Sequence, residues 1–214
     1  MRVAGHYALW QAGVYHRDVS PGNLMWYRTK GNVLMGVLND YDLSSSADAE
    51  GPQGNERTGT IPFMALDLLT EEGQEGKVQH LYRHDLESFM WVLVWVVLRY
   101  KDGQLLPRKI RRFDKWATVD AETCGMQKSF FLTNFLEYRS HIVDQRMRHL
   151  VMNCFHVLDT ESSRRRRVRY EREQLLEMGG TQIVSEKIEL DNDKFLDLFT
   201  TTAAWVQLSD NLKQ

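Results

Sequence analysis

His16-Arg17-Asp18-Val19-Ser20-Pro21-Gly22-Asn23 is the stretch whose reading decides the fold. It carries a carboxylate, Asp18, and a carboxamide, Asn23, joined through Pro21 and Gly22. Proline fixes φ and glycine admits turns that other residues resist, so the linker predicts a tight loop. Such a loop can aim two short polar side chains at one spot. Upstream, Val3, Tyr7 and Trp10 recur at helical spacing and predict the end of a helix over 3–12, with Gly13 as its stop. Downstream, Leu24–Tyr27 and Val33–Leu38 predict two strands joined by a turn at 28–32. That hairpin sets Asn23 at its start and Asp40 at its end on the same side.

Beyond the hairpin comes Asn39-Asp40-Tyr41-Asp42-Leu43, which brings further carboxylates toward the loop. Residues 44–58, rich in Ser, Asp, Glu, Gly, Asn and Gln, predict a mobile loop. Thr58-Gly59-Thr60-Ile61-Pro62-Phe63-Met64-Ala65 follows, leading to Leu66 and Asp67. His84-Asp85-Leu86-Glu87-Ser88 then opens into an apolar run, Phe89–Leu98. A helix apolar all round is a buried one, and Asp85 at its start is suited to accept backbone N–H groups there. Pro107 predicts the start of a helix containing Ile110, Phe113 and Trp116. Residues 126–158 predict one or two amphipathic helices, with Phe130, Phe131, Leu132, Phe135, Leu136, Ile142, Met147, Leu150, Val151 and Phe155 as their apolar positions. Residues 163–178 are strongly charged. Residues 192–208 predict a last amphipathic helix carrying Phe195, Leu196, Leu198, Phe199, Trp205 and Leu208.

Composition narrows the class. The 214 residues are 43% apolar and 26% charged, enough to bury a sizeable core within one domain. A formal charge of −2 exerts no global pull on nucleic acid or membrane, so neither is an expected partner. The run Phe89–Leu98 is too short to span a bilayer. No apolar signal-peptide core opens the chain, and Cys124 and Cys154 lack metal-type spacing and read as reduced thiols. The expected setting is intracellular, cytoplasmic or nuclear. The arginines Arg164–Arg167 read as a solvated helix face partnered by Glu171, Glu173 and Glu177, with a nuclear-localisation or polyanion patch as the alternative.

These four ordered motifs resemble the protein-kinase catalytic loop, metal-binding segment, activation-segment end and central buried helix. The wording H-R-D-V-S-P-G-N, N-D-Y-D-L-S, T-G-T-I-P-F-M-A and H-D-L-E-S-F is most similar to the fungal-type protein kinase domain family. The resemblance covers residues 1–100 with specific motifs, while 101–214 fit as helical material of the same lobe. It implies a mainly α fold, the kinase large (C-terminal) lobe, with a small β-hairpin by the catalytic loop.

The resemblance also implies roles. Asp18 accepts the proton of a substrate hydroxyl, while Asn23 and Asp40 hold magnesium through hard oxygen donors. Thr60 bonds the catalytic Asp. Asp67 stands where the family has a glutamate, after Leu66 in place of a proline. His16 packs under the aromatic at Tyr41 and bonds backbone. Arg17 pairs with a phosphate on the mobile loop, for which Ser44, Ser45, Ser46 and Thr58 are candidates, or with an acid such as Asp48 or Glu50. Asp85 ties down the catalytic-loop backbone. Two departures bear on mechanism. Ser20 occupies a lysine position and supplies no charge to the γ-phosphate, and Asp42 replaces the glycine that lets the metal-binding segment switch.

The 214 residues contain no G-x-G-x-x-G, and no strand lysine precedes His16. The N-terminal ATP-binding lobe is therefore expected to be absent from this chain, and ATP and Mg2+ to act only where that lobe is supplied. The reading is a serine/threonine protein kinase large lobe with a protein substrate, inactive alone and of open oligomeric state. A non-catalytic binding scaffold is the alternative. A small-molecule phosphotransferase ranks lower, because that class lacks the activation-segment ending.

Overall fold

Helix α3, Tyr82–Arg99, is the axis of the molecule. This computed structural model describes residues 4–41, 45–46, 59–142 and 145–178. Leu81 is extended before α3, and His84 Nδ1 accepts the Leu81 N–H at 3.0 Å. That side chain satisfies a backbone donor the helix would leave open at its first turn. Leu86, Met90, Trp91 and Val94 are fully buried, so α3 is enclosed on nearly every side. It ends where Tyr100 turns extended, with Arg99 in the last turn over the Trp95 ring at 3.7 Å. A cation there also suits the negative end of the helix dipole.

The site-bearing part precedes α3. Helix α1, Ala4–Gln11, stops at Gly13, whose φ of 81° is the left-handed conformation a glycine adopts without cost. Val14–Tyr15 (β1) leads into the catalytic-type loop and a 3₁₀ turn at Pro21–Asn23. Strands β2, Leu24–Arg28, and β3, Leu34–Leu38, form an antiparallel hairpin with Leu24 opposite Leu38. A two-residue strand β4, Ser45–Ser46, pairs back onto β1. Short 3₁₀ helices follow at Ile61–Phe63 and Leu66–Leu69, then a single turn α2, Glu71–Gln74, capped by Thr70.

The remainder packs around α3. A small hairpin pairs β5, Tyr100–Lys101, with β6, Gln104–Leu105. Helix α4, Ala121–Thr133, is capped by Asp120, which accepts the Thr123 N–H at 2.8 Å. A 3₁₀ helix at Phe135–His141 leads to α5, Gln145–Glu177, 33 residues long. Leu150, Val151, Cys154, Phe155 and Leu158 of α5 complete the core. The described residues are thus mainly helical with three two-stranded antiparallel sheets. Both cysteines are free and buried. No described helix is long and apolar enough to cross a membrane.

Three expectations are corrected. Residues 107–116 do not form a helix. They make a turn at Pro107–Ile110 and a 3₁₀ helix at Asp114–Ala117, because Arg99 captures the Arg112 carbonyl and Phe113 sits at a φ of 64°. Ile110 accordingly faces out, 58% exposed. Phe130 and Leu136 also point outward, while Phe131 and Leu132 take the core positions. The arginine run is not wholly a solvated face, since Arg165 is buried. Arg164 and Arg167 do pair along α5, with Glu161 and Glu171. The loop over 44–58, apart from Ser45–Ser46, and the helix expected at 192–208 lie outside the described residues.

Candidate functional site

The loop places Asp18 where its two oxygens meet different partners. Oδ1 accepts both the Thr60 N–H at 2.9 Å and the Thr60 hydroxyl at 2.8 Å. Oδ2 accepts from Asn23 Nδ2 at 3.2 Å, and the same amide donates to the Asp18 carbonyl at 2.9 Å. Oδ1 thereby spends its two lone pairs, while Oδ2 keeps one for a further donor. The 3₁₀ turn Pro21–Asn23, closed by Asn23 N–H to the Ser20 carbonyl at 3.1 Å, brings the carboxamide back over Asp18.

The other arms converge on this loop. The Asn39 N–H donates to the Asn23 carbonyl at 2.8 Å, so the strand ends hold Asp40 next to Asn23. Asp40 is exposed, at a φ of 63°, and Arg17 has a φ of 68°. Left-handed backbone at two non-glycine residues stores strain, which concentrates at functional sites. His16 is fully buried. Its Nε2 donates to the Asn39 carbonyl at 2.8 Å, its Nδ1 accepts the Asp18 N–H at 3.2 Å, and its ring meets Tyr41 edge-on at 4.6 Å. Burial raises the Tyr41 hydroxyl above its ordinary pKa, with the Asp85 charge adding to it. Gly59, at a φ of 139°, lets the chain pass close to the loop: a Cβ there would stand 3.4 Å from the Arg17 carbonyl.

Asn23 and Asp40 are the residues that could hold magnesium. The Asn23 amide nitrogen is committed to Asp18, which leaves its Oδ1 without a hydrogen bond among the described residues. A carboxamide and a carboxylate are the partial oxygen set that magnesium completes with water and phosphate. Among the described residues no group of three His, Cys, Asp or Glu forms a self-contained cage.

The other expected residues divide. Ser20 is buried beside the loop and its side chain carries no charge. Arg17 Nε is buried without a hydrogen-bond partner among the described residues. Of its expected partners, Ser44, Asp48, Glu50 and Thr58 lie outside the described residues, as does Asp42. Ser45 and Ser46 pair through backbone with Tyr15 and Val14. Asp67 lies behind the segment. Burial alone would raise its pKa, but the His84 ring and the Arg165 and Arg83 cations outweigh burial and hold the carboxyl far below its usual range. Arg83 is 2.7 Å from it and Arg165 3.7 Å.

Asp85 takes partners other than those expected. It is 1% exposed, and its two oxygens accept from His6 Nε2 at 3.0 Å and His80 Nε2 at 2.8 Å. Those bonds overcome burial and keep its pKa low. It therefore joins α1 to the entry of α3, and the first-turn N–H it was expected to cap is met by His84. His6 and His80 gave no signal in sequence, being isolated histidines 79 and 5 residues from their partner. Glu87 was also missed. It is 2% exposed, and its Oε1 accepts the Leu66 N–H at 2.8 Å and Trp91 Nε1 at 3.1 Å. An acid inside an apolar helix, four residues before a tryptophan, was its legible sign.

An aspartate gripped by a downstream threonine and a loop asparagine, with a second aspartate at the hairpin end, defines a protein-kinase-like protein. Comparison with known proteins agrees: residues 2–97 match the family model described as fungal protein kinase. Putative CBL-interacting protein kinase 27 of Oryza sativa subsp. japonica is 33% identical over 117 residues, 51% of this chain and 28% of the relative. Receptor-interacting serine/threonine-protein kinase 3 of Rattus norvegicus is 27% identical over 117 residues, 53% of this chain and 21% of the relative. The chain thus spans less than a third of the length of these curated relatives.

Proposed function

We propose that this chain is the large-lobe part of an ATP-dependent serine/threonine protein kinase. The observation that supports it best is the division of labour on Asp18, with Oδ1 saturated by Thr60 and Oδ2 bonded once, to Asn23, and able to accept a further donor. A seryl or threonyl hydroxyl donating to Oδ2 would be oriented for attack, and Asp18 would take its proton as the new bond to phosphorus forms and the bond to the bridging oxygen breaks, releasing ADP. Magnesium-bound ATP, when present, supplies the phosphoryl group and offsets its charge. Asn23 and Asp40 would hold that cation, and Asn23 keeps Asp18 from rotating. Ser20 contributes no cation, so transition-state charge is compensated by groups elsewhere. The domain reading is one lobe over 1–214, with the motifs in 1–100.

The Gly-rich loop and strand lysine belong to a nucleotide-binding lobe in the complete enzyme, and the 214 residues alone are expected to be inactive. The test is phosphate transfer from labelled ATP to protein acceptors by a form that includes that lobe, with and without Asp18→Asn. Loss of transfer with an unchanged circular dichroism spectrum and melting temperature supports the reading. Retained turnover in the variant contradicts it. A form that binds partners but transfers to neither peptides nor small alcohols points instead to a scaffold lobe. That second reading draws on the exposed Met25, Trp26 and Tyr27 of the hairpin, an apolar surface suited to an interface.

A further inference from the structure

Residues 99–115 hold seven basic residues against two acids, in a chain of formal charge −2. Internal pairing satisfies only some of these cations, and two of those left over are adjacent. Arg99 donates to Asp114 Oδ1 at 2.6 Å, and Arg111 forks the same carboxylate at 2.8 and 2.9 Å. Asp114 is therefore fully spent, and its pKa is lowered chiefly by Arg111. Arg112 turns to His141, 3.0 Å away. Arg108 and Lys109 sit on a turn closed by the Ile110 and Arg111 N–H groups donating to the Pro107 carbonyl at 3.0 Å. Both are exposed, and neither has a hydrogen bond or ion pair among the described residues. Ile110 projects beside them, 58% exposed.

This turn is tethered to the segment that carries Thr60. Phe63 meets Trp95 edge-on at 5.3 Å, Trp95 carries the Arg99 guanidinium at 3.7 Å, and Arg99 holds the Arg112 carbonyl. The 3₁₀ helix Asp114–Ala117 packs on the one at Ile61–Phe63. Two unpaired cations and an apolar tip are thus fixed on the flank of the segment that grips Asp18.

We propose that the turn Pro107–Ile110 docks an acidic stretch of the protein substrate, with Arg108 and Lys109 reading carboxylates and Ile110 an adjoining apolar side chain. This deepens the kinase reading and rests on it. Exposed cations without an ion pair among the described residues give charge complementarity at small desolvation cost, which sets partner choice and capture rate.

The test is fluorescence anisotropy of the full 214-residue chain with a labelled peptide holding a serine, a Glu/Asp run and one leucine. Capture that weakens with salt, with Arg108→Glu/Lys109→Glu binding at least about tenfold more weakly at an unchanged melting temperature, supports the proposal. Arg108→Gln/Lys109→Gln should lie between. Capture indifferent to these residues overturns it, as does equal binding of a lysine-rich peptide. Tighter binding of phosphatidylserine vesicles or single-stranded RNA than of the acidic peptide overturns it too. Asp18→Asn, run alongside, should leave capture intact. A failure of the kinase chemistry then shows as absent phosphate transfer in a form that includes the nucleotide-binding lobe with normal capture, and a failure of the docking surface as transfer without capture.

Discussion

Thr60 holds one oxygen of Asp18 twice, through its N–H and its hydroxyl, across 42 residues of chain. The aim of Asp18 therefore depends on how residues 59–65 fold. Thr60→Val keeps the N–H bond and loses the hydroxyl bond. It should cost about 0.5–1.5 kcal/mol of stability, read by urea unfolding. In a form carrying the nucleotide-binding lobe it should lower kcat by about tenfold to a hundredfold with KM for the acceptor little moved. Thr60→Ser should restore both. A Val variant with normal kcat would remove the positioning role.

Arg165 spans a half-buried acid and a buried one, 3.7 Å from Asp67 Oδ2 and 3.7 Å from Glu87 Oε2. Arg165→Met leaves Glu87 without an ion-pair partner among the described residues in a buried site. Removing one partner of a buried pair costs about 3–5 kcal/mol. Its exposed neighbour, tested as Arg166→Met, should change stability by less than about 0.5 kcal/mol. Equal small effects in denaturant titrations would mean that the whole run is a solvated face.

Lys128 is fully buried, donates to the Met64 carbonyl at 2.6 Å, and lies 4.6 Å from the Trp91 ring. Burial lowers its pKa from 10.5 to about 8. Between those values the unfolded chain binds the proton that the folded chain has lost, so stability gains with rising pH. The slope is at most about 1.4 kcal/mol per pH unit. The buried thiols act oppositely above their ordinary value of 9.0, Cys154 being pushed up to about 12. Wild type and Lys128→Met should therefore be compared between pH 8 and 9 by thermal unfolding. The variant should lack the rise, and a constant difference between the two would contradict the assignment.

His84 behaves as the acid counterpart. Burial lowers its pKa from 6.5 to about 3. Below 6.5 the unfolded chain takes up a proton that the folded chain refuses, so stability falls as pH drops. His84→Asn should flatten the decline above pH 4, before Asp67 and Asp85 lose their own contribution below 3.8. A decline of the same slope in the variant would assign it elsewhere.

What the sequence by itself determined is what local chemistry controls. The Pro21-Gly22 loop, the Gly13 stop, the hairpin and the buried α3 follow from turn residues and periodicity acting over a few positions. The ordered motifs also place Asp18, Asn23, Asp40 and Thr60 in one expected site, of which Asp18, Asn23 and Thr60 are joined by hydrogen bonds. Only the tertiary structure decided how those groups are held. Thr60 reaches Asp18 across the chain, His6 reaches Asp85 from α1, and Arg165 reaches Asp67 and Glu87 from α5. The stretch 107–116 lost its expected helix to the same kind of contact, Arg99 taking the Arg112 carbonyl. Periodicity reports which face of an element is buried, but not which distant partner meets it. A lone histidine or an arginine in a charged run looks alike whether water or a buried carboxylate receives it, because its partner is set by packing.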